Sequence, residues 1–244
     1  MWPAGWRHCA PRLSDPLKRA AAAAAVELVR DGMLLGLGSG STAAEFIDLL
    51  GERVRAGLRV TGIATSRRSH DQAIALGIPM LDELPAPIDL AVDGADEIDP
   101  ALNLLKGRGG ALVREKLVAV AARRFVVIAD DSKLVERLGV GVLPVEVLPF
   151  LWRQTARHLE ALAPISWTLR GGVDAPFVSD NGNLVVDLQL AGGISDPVGL
   201  SAQLKAVTGV VEHGVFAGLA SACLVAGPDG VRTLTASGLR GSSP

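Results

Sequence analysis

Two cysteines, Cys9 and Cys223, are all that the 244-residue chain contains. That is too few for a disulfide framework or a four-cysteine zinc site, and it reads as the usage of a reducing cytosol, so a cytoplasmic location is expected. An excess of positive charge is missing as well. Lys and Arg number 24 against 26 Asp and Glu, a net charge of -2, with no basic block, which argues against nucleic acid as a partner. No apolar run reaches a membrane-spanning length: the richest, 20–29, contains Glu27 and is closed by Arg30 and Asp31, so it reads as an alanine-rich helix and no membrane partner is expected. Internal repeats are absent, as is low complexity beyond that alanine run. What the chain does have is apolar residues, 49% of the total, enough for one sizeable core or two modest ones. The first dozen residues, with Trp2, Trp6 and Pro11, and the tail 238–244 carry no periodicity and read as loosely held ends.

Periodicity and glycine turns organise the rest. Helical runs at 16–30, 41–55, 69–76 and 111–122 alternate with strand runs at 33–37, 59–64, 79–81, 88–92 and 125–129. Alternating strands and helices predict an α/β fold with a doubly wound, mostly parallel sheet. Past Gly139 the texture changes to strand 143–147, helix 151–163 and strand 165–169. Strands 177–178 and 184–188 then flank the hairpin signal Asn181-Gly182, followed by helix 197–207 and strand 209–216. This β-α-β-β-α-β order is that of a small split βαβ, ferredoxin-like α+β module. Strands 221–227 and 231–235 are expected back on the first sheet. The expected division is a domain of residues 1–139 completed by 217–244, and a smaller one of residues 140–216.

Four segments carry chemistry. Gly36-Leu37-Gly38-Ser39-Gly40-Ser41-Thr42 follows a strand and opens a helix, so its N–H groups and hydroxyls can hold an anion at the positive end of the helix dipole. It lacks the Gly-Lys-Ser/Thr ending of a P-loop, and its third glycine comes one position early for the dinucleotide fingerprint. A plain tight turn would use the same glycines, while the hydroxyls of Ser41 and Thr42 favour phosphate. Thr65-Ser66-Arg67-Arg68 ends the second strand, where an NADP enzyme carries an arginine; two solvated arginines at a helix start would look the same. Asp93-Gly94-Ala95-Asp96 sits at the carboxyl end of strand 88–92, where open α/β sheets bind ligands. Its two carboxylates can face one polyhydroxyl ligand, or belong to a simple turn or a metal loop. Calcium would require further oxygen ligands at regular spacing, so no metal is expected. Glu97 and Asp99 read as solvated. Lastly, Lys106-Gly107-Arg108-Gly109-Gly110 leads into Arg114-Glu115-Lys116, where Glu115 taken alone reads as a surface helix charge. Carboxylates, cations and flexible backbone this dense within an apolar chain describe a small-anion active site.

Taken in order, Gly-Ser-Gly-Ser-Thr at 38–42, Val-Asp-Gly-Ala-Asp-Glu at 92–97, Lys106-Gly107 through Arg114-Glu115-Lys116, Ala-Asp-Asp-Ser-Lys at 129–133, Leu-Pro-Val-Glu-Val at 143–147, Asp-Asn-Gly-Asn at 180–183 and Gly-Val-Val-Glu-His-Gly-Val-Phe at 209–216 resemble type A ribose-5-phosphate isomerase. The resemblance runs from about residue 17 to 233. It implies an aldose–ketose isomerase of the non-oxidative pentose phosphate pathway that interconverts D-ribose 5-phosphate and D-ribulose 5-phosphate without metal or organic cofactor. It also implies a Rossmann-like domain joined to a smaller α+β domain, in a homodimer or homotetramer. By the same resemblance Glu115 is the base that moves a proton between C1 and C2 through an enediolate. Substrate contacts fall to Ser39, Gly40, Ser41 and Thr42, to Asp93, Gly94, Ala95 and Asp96, to Lys106, Gly107, Arg108 and Gly109, and to Lys133. Lys106 is a donor for the developing oxyanion, and the two aspartates orient hydroxyls and assist ring opening. Which loop holds the phosphate stays open. Two departures stand out: Arg108 takes the middle place of the family's three glycines, to clamp phosphate or point outward, and Ser39 replaces a common threonine while keeping the hydroxyl.

Two other readings belong beside this one. A sugar-phosphate sensor is suggested by effector domains of transcriptional regulators that resemble this fold, although the segment before Leu17 is too short for a DNA-binding module. An NADP-dependent oxidoreductase rests on the glycine loop and Arg67-Arg68, and requires a nicotinamide site that the second domain does not evidently supply.

Overall fold

A computed structural model of the chain describes residues 15–162 and 165–235. The expected loose ends, Cys9 and the last residue of the helix expected over 151–163 lie outside the described residues. The first half runs α1 (Pro16–Val26), β1 (Leu34–Leu37), α2 (Ser41–Arg55), β2 (Thr61–Ala64), α3 (Arg67–Ala75), β3 (Leu90–Asp93), β4 (Glu97–Ile98), β5 (Leu104–Leu105), α4 (Leu112–Ala121) and β6 (Phe125–Asp130). The second half runs β7 (Leu143–Val147), α5 (Trp152–Glu160), β8 (Ile165–Leu169), β9 (Leu184–Leu190), α6 (Pro197–Ala206), β10 (Val210–His213), β11 (Val215–Phe216), β12 (Ala222–Gly227) and β13 (Gly230–Leu234).

The main sheet has the order β13-β12-β6-β3-β1-β2 and is parallel except for the β12–β13 hairpin. Successive side chains of a strand point to opposite faces, so each central strand feeds two cores. Leu35, Leu37, Leu90, Val92, Val126 and Ile128 pack with Ala21 and Ala25 of α1 and with Phe46, Ile47 and Leu50 of α2. On the other face Ala91, Phe125, Val127 and Ala129 pack with Val118 and Ala119 of α4 and with Phe216. Burial on both faces is why these strands read as unbroken apolar runs. The alanine-rich α1 lies on the sheet because small side chains let it approach closely. It ends at Val26, short of the expected residue 30, as Leu28 and Val29 close tighter turns onto Ala25 and Val26. Among the described residues no helix is long and apolar enough to cross a membrane.

From β1 the chain steps outward to β2 and then returns to the opposite side of β1 as β3. This reversal opens a crevice at the carboxyl ends of β1 and β3, the place where doubly wound sheets bind ligands.

The second sheet, β10-β7-β9-β8, is antiparallel throughout and carries α5 and α6, which is the split βαβ arrangement expected. Its core gathers Val145, Val147, Leu159, Val186, Leu188 and Leu204. The strand expected over 209–216 is divided at Gly214, whose N–H donates to Pro144 O. Its first part joins the second sheet, and its last two residues enter a three-stranded sheet, β11-β5-β4, that the sequence pattern does not announce. The short strands expected at 79–81 and 177–178 amount to single bridges, Gly62 to Met80 and Val178 to Leu184.

Candidate active site

The segments that follow β1, β3, β5 and β6 converge on the crevice. The loop after β1 crosses beneath Asp93: Ser39 N–H donates to Asp93 Oδ1 at 2.9 Å, and Gly94 N–H donates to the same oxygen at 2.7 Å. Residue 38 must be glycine for this crossing, because a Cβ there would lie 2.2 Å from Asp93 Oδ1. The loop then turns into α2, whose N-cap, Gly40, offers no side-chain acceptor, so the first N–H groups of the helix are free for a ligand.

After β3, the β4–β5 hairpin sets Asp96 opposite the start of the glycine turn. Asp96 N–H donates to Leu105 O, and Lys106 N–H donates to Gly214 O. Gly107 follows with a φ of 102°, which turns the chain towards α4 at a backbone angle that favours glycine. After β6, the Asp130 carboxylate accepts from Ser132 N–H and caps a 3-10 turn, Asp131–Lys133, that presents Lys133.

At the centre stands a buried triad of charges. Asp93, Lys106 and Glu115 are 3%, 3% and 5% exposed. Lys106 Nζ donates to Gly94 O at 2.6 Å and lies 3.0 Å from Asp93 Oδ2 and 3.4 Å from Glu115 Oε2. Both carboxylate contacts are at ion-pair distance without hydrogen-bond alignment, so Asp93 Oδ2 and Glu115 Oε2 keep no hydrogen-bond partner. Burial alone would lower the ammonium's pKa, but Asp93 and Glu115 on two sides overcome it and push it up, leaving Lys106 charged. Burial likewise disfavours the Glu115 carboxylate. Lys106 opposes this and the charges of Asp93 and Asp96 reinforce it, bringing Glu115 to about 8.

Above the triad is a cavity of about 140 Å3, lined by Ser39, Gly40, Ser41, Thr42, Gly94, Ala95, Asp96, Lys106, Gly107, Gly109, Glu115 and Lys133. The crevice thus brings together nearly every residue singled out in the sequence. Lys18, which no motif marks, also lines it: a lone lysine in the first turn of α1 has no sequence neighbour to flag it, and only the packing of α1 beside α2 delivers it there.

One expectation is corrected, that of Glu97, and three other side chains have partners within the protein. Asp93 lies beneath the cavity instead of lining it, because both its oxygens are turned to the Ser39 loop and Lys106. Arg108 does not line it either: its side chain is 47% exposed and leans towards Glu97, Nη2 to Oε1 3.6 Å, so only its backbone N–H serves the site by donating to Asp96 Oδ2 at 2.9 Å. The Ser39 hydroxyl is spent within the protein, 2.6 Å from Thr65 Oγ1 and 2.8 Å from Ser66 Oγ. Glu97 is not solvated; it is buried and accepts from the N–H groups of Gly139, Val140 and Gly141, capping the loop that leads to β7.

A larger groove of about 850 Å3 lies across the sheet face between α3 and α4, floored by Ile63, Ala64, Leu117 and Val118. Its arginines differ: the Arg114 guanidinium donates to Asn181 Oδ1 and Asp180 O, whereas that of Arg67 is exposed, with Nε 3.9 Å from Asp180 Oδ1. Converging unpartnered polar atoms, which mark a reactive centre, are in the smaller cavity.

The sequence model of ribose 5-phosphate isomerase A (phosphoriboisomerase A) matches residues 61–230. Ribose-5-phosphate isomerase A of Rhodopseudomonas palustris strain BisB18 is 54% identical over 231 residues, covering 91% of this chain and 98% of the relative. The probable ribose-5-phosphate isomerase 2 of Arabidopsis thaliana is 47% identical, covering 89% and 86%. Among solved structures, ribose 5-phosphate isomerase A of Methanocaldococcus jannaschii superposes with a TM-score of 0.86 at 40% identity, covering 90% of this chain and 98% of its own. A D-ribose-5-phosphate isomerase solved in complex with phospho-erythronic acid gives 0.85 at 39%, with the same coverage. The chain belongs to the ribose 5-phosphate isomerase A family.

Proposed function

We propose that the chain interconverts D-ribose 5-phosphate and D-ribulose 5-phosphate, with Glu115 as the group that carries the proton. In the opened aldose, the Glu115 carboxylate takes the C2 proton and leaves a 1,2-enediolate. Returning the proton to C1, while O2 loses its hydrogen and O1 gains one, yields the ketose. The observation that carries this reading is Glu115 Oε2, a buried carboxylate oxygen without a hydrogen bond at the wall of a small polar cavity, beside an ammonium fixed in its charged form. The raised pKa makes it a stronger base than an exposed carboxylate and places it near working pH. Lys106, held by Gly94 O and Asp93, is preorganised to balance the negative charge that appears on the enediolate oxygens.

The phosphate is assigned to the opposite wall, where the uncapped start of α2 at Ser41 and Thr42 meets Lys18 and Lys133. Gly94, Ala95, Asp96, Gly107 and Gly109 then border the carbon chain, and the Asp96 carboxylate faces its hydroxyls. The relative solved with phospho-erythronic acid, a phosphorylated sugar acid, supports this class of ligand. A cavity of about 140 Å3 is far below what a dinucleotide needs, which disfavours the NADP reading.

With this function go a homodimer or homotetramer, a cytosolic location, and the domain division of 1–139 with 217–244 against 140–216. Leu117 and Val120 of α4, 63% and 62% exposed, support a buried subunit surface. The separate apolar cluster of the second sheet supports the division. The test is turnover of D-ribose 5-phosphate by purified protein without additives. Formation of ribulose 5-phosphate is expected, and its absence from folded protein would contradict the proposal.

A further inference from the structure

Glu115 is followed by a second, largely enclosed cation that the reaction does not use. The Lys116 side chain is 14% exposed, and its Nζ donates to Glu212 Oε1 at 2.7 Å and to His213 O at 2.8 Å, with the Phe216 ring centroid 4.9 Å away. Residues 213–216 are also what holds Lys106: Gly214 O accepts from Lys106 N–H, β11 pairs with β5 immediately before Lys106, and the same Phe216 centroid lies 5.6 Å from Lys106 Nζ. One short segment therefore carries the strand end that bears Lys106 and the helix that bears Glu115.

We propose that Lys116 is a positioning residue of the isomerisation: by tying α4 to the β10–β11 connection it fixes the Glu115 carboxylate against Lys106 and the reacting carbons. The proposal rests on Glu115 being the base. Successive helical residues diverge by about 100°, so Lys116 can be anchored sideways while Glu115 faces the cavity. The N-cap of α4, Ala111, has no side-chain acceptor, so the first turn depends on such outside ties.

The groups around Lys116 are arranged to keep the tie. Burial lowers the Lys116 pKa, against the hydrogen bond and charge of Glu212. Glu212 is opposed by its own burial, yet Lys116 draws it down to about 2. His213 is held down to about 4 by burial and by the Lys116 charge, so it is neutral, and Lys205 closes the cluster from α6 at 3.0 Å from Glu212 Oε2. An ion pair largely withdrawn from water is seldom needed for stability, since apolar replacements of the same volume often serve as well. A pair placed one residue from the base is better explained by the direction it imposes.

The test compares the parent, Lys116→Met, Lys116→Arg and Glu115→Gln with D-ribose 5-phosphate across pH. In Lys116→Met kcat is expected to fall on the order of 10- to 100-fold with KM within about threefold, because the base is displaced and the phosphate site is not. The acidic limb of its kcat profile should move to higher pH, since Glu115 then lies farther from Lys106 while Asp93 and Asp96 still repel its charge. Lys116→Arg should recover a large part of both. Kcat and acidic limb like the parent's, after correction for folded fraction, would overturn the proposal. Should Met at position 116 prevent folding, Glu212→Gln gives the readout: a smaller fall in kcat with the same displacement of the limb is expected, and an unmoved limb overturns it. Glu115→Gln separates the failures. If it stays active, the base assignment falls; if it is inactive while Lys116→Met behaves like the parent, only the positioning role falls.

Discussion

Glu115 is placed where its charge is costly, and two consequences follow at the level of that single side chain. With Glu115 proposed as the base, activity requires its ionised form, so kcat/KM should rise with pH through about 8 and then level off, the acidic limb reporting Glu115 in the free enzyme. Stability runs the other way. The folded-state pKa lies above the ordinary 4.5, so the native protein binds the proton more tightly than the unfolded chain, and stability is lost as pH rises from 4.5 through about 8. Glu115→Gln removes that loss. Urea melts should show it gaining on the parent across this window, by up to ~1.4 kcal/mol per pH unit; an unchanged difference would contradict the assigned pKa. The cations flanking the cavity divide differently. Lys18→Met should raise KM for the sugar phosphate on the order of tenfold with kcat little changed, by loss of a charge-assisted contact. Arg108→Gly should leave kcat/KM within about threefold, because the Arg108 guanidinium is half exposed, lies outside the cavity lining, and leans on a Glu97 already held by three backbone N–H groups. A large fall in the latter would return Arg108 to the phosphate.

Among the elements, the glycine loop after β1 and the Asp-Gly-Ala-Asp turn after β3 act as one unit, since Asp93 Oδ1 holds both Ser39 and Gly94. Gly38→Ala should therefore cost about 2 kcal/mol or more in denaturant unfolding and weaken substrate binding as well, by driving a methyl into Asp93. These loops could be found in the sequence because each sits where a continuous apolar strand gives way to glycine and polar residues, and the two-faced burial of β1, β3 and β6 makes that signal strong. The hairpin of β4 and β5 could not: two-residue strands carry no period, and β5 pairs with β11, Leu105 with Val215, a contact local pattern cannot announce. The same limit hid Lys18 and the buried capping role of Glu97. Orientation was also beyond the pattern. Asp93 and Arg108 were correctly placed on their loops, but whether a side chain points into the crevice or away from it is decided by partners distant in sequence, Lys106 for the first and Glu97 for the second.

For the molecule as a whole, the two sheets divide the work. The parallel sheet supplies the crevice and the uncapped start of α2, while the antiparallel sheet reaches the back of α4 through Lys116 to β10 and through Arg114 to the turn at Asp180 and Asn181. The positive charge beside Glu115 is that of Lys106, and among the described residues no group of three or more His, Cys, Asp or Glu is placed to hold a metal. Turnover is accordingly expected to survive a chelator, checked by assay before and after EDTA treatment; loss that a divalent cation restores would contradict it.

The claim on which these relations depend is that the carboxylate of Glu115 moves the proton, and it is tested most directly by measuring kcat of Glu115→Gln with D-ribose 5-phosphate alongside its affinity for the same sugar. A fall in kcat of roughly 10²- to 10⁴-fold is expected, with affinity within about threefold of the parent. Turnover within a few fold of the parent would contradict it.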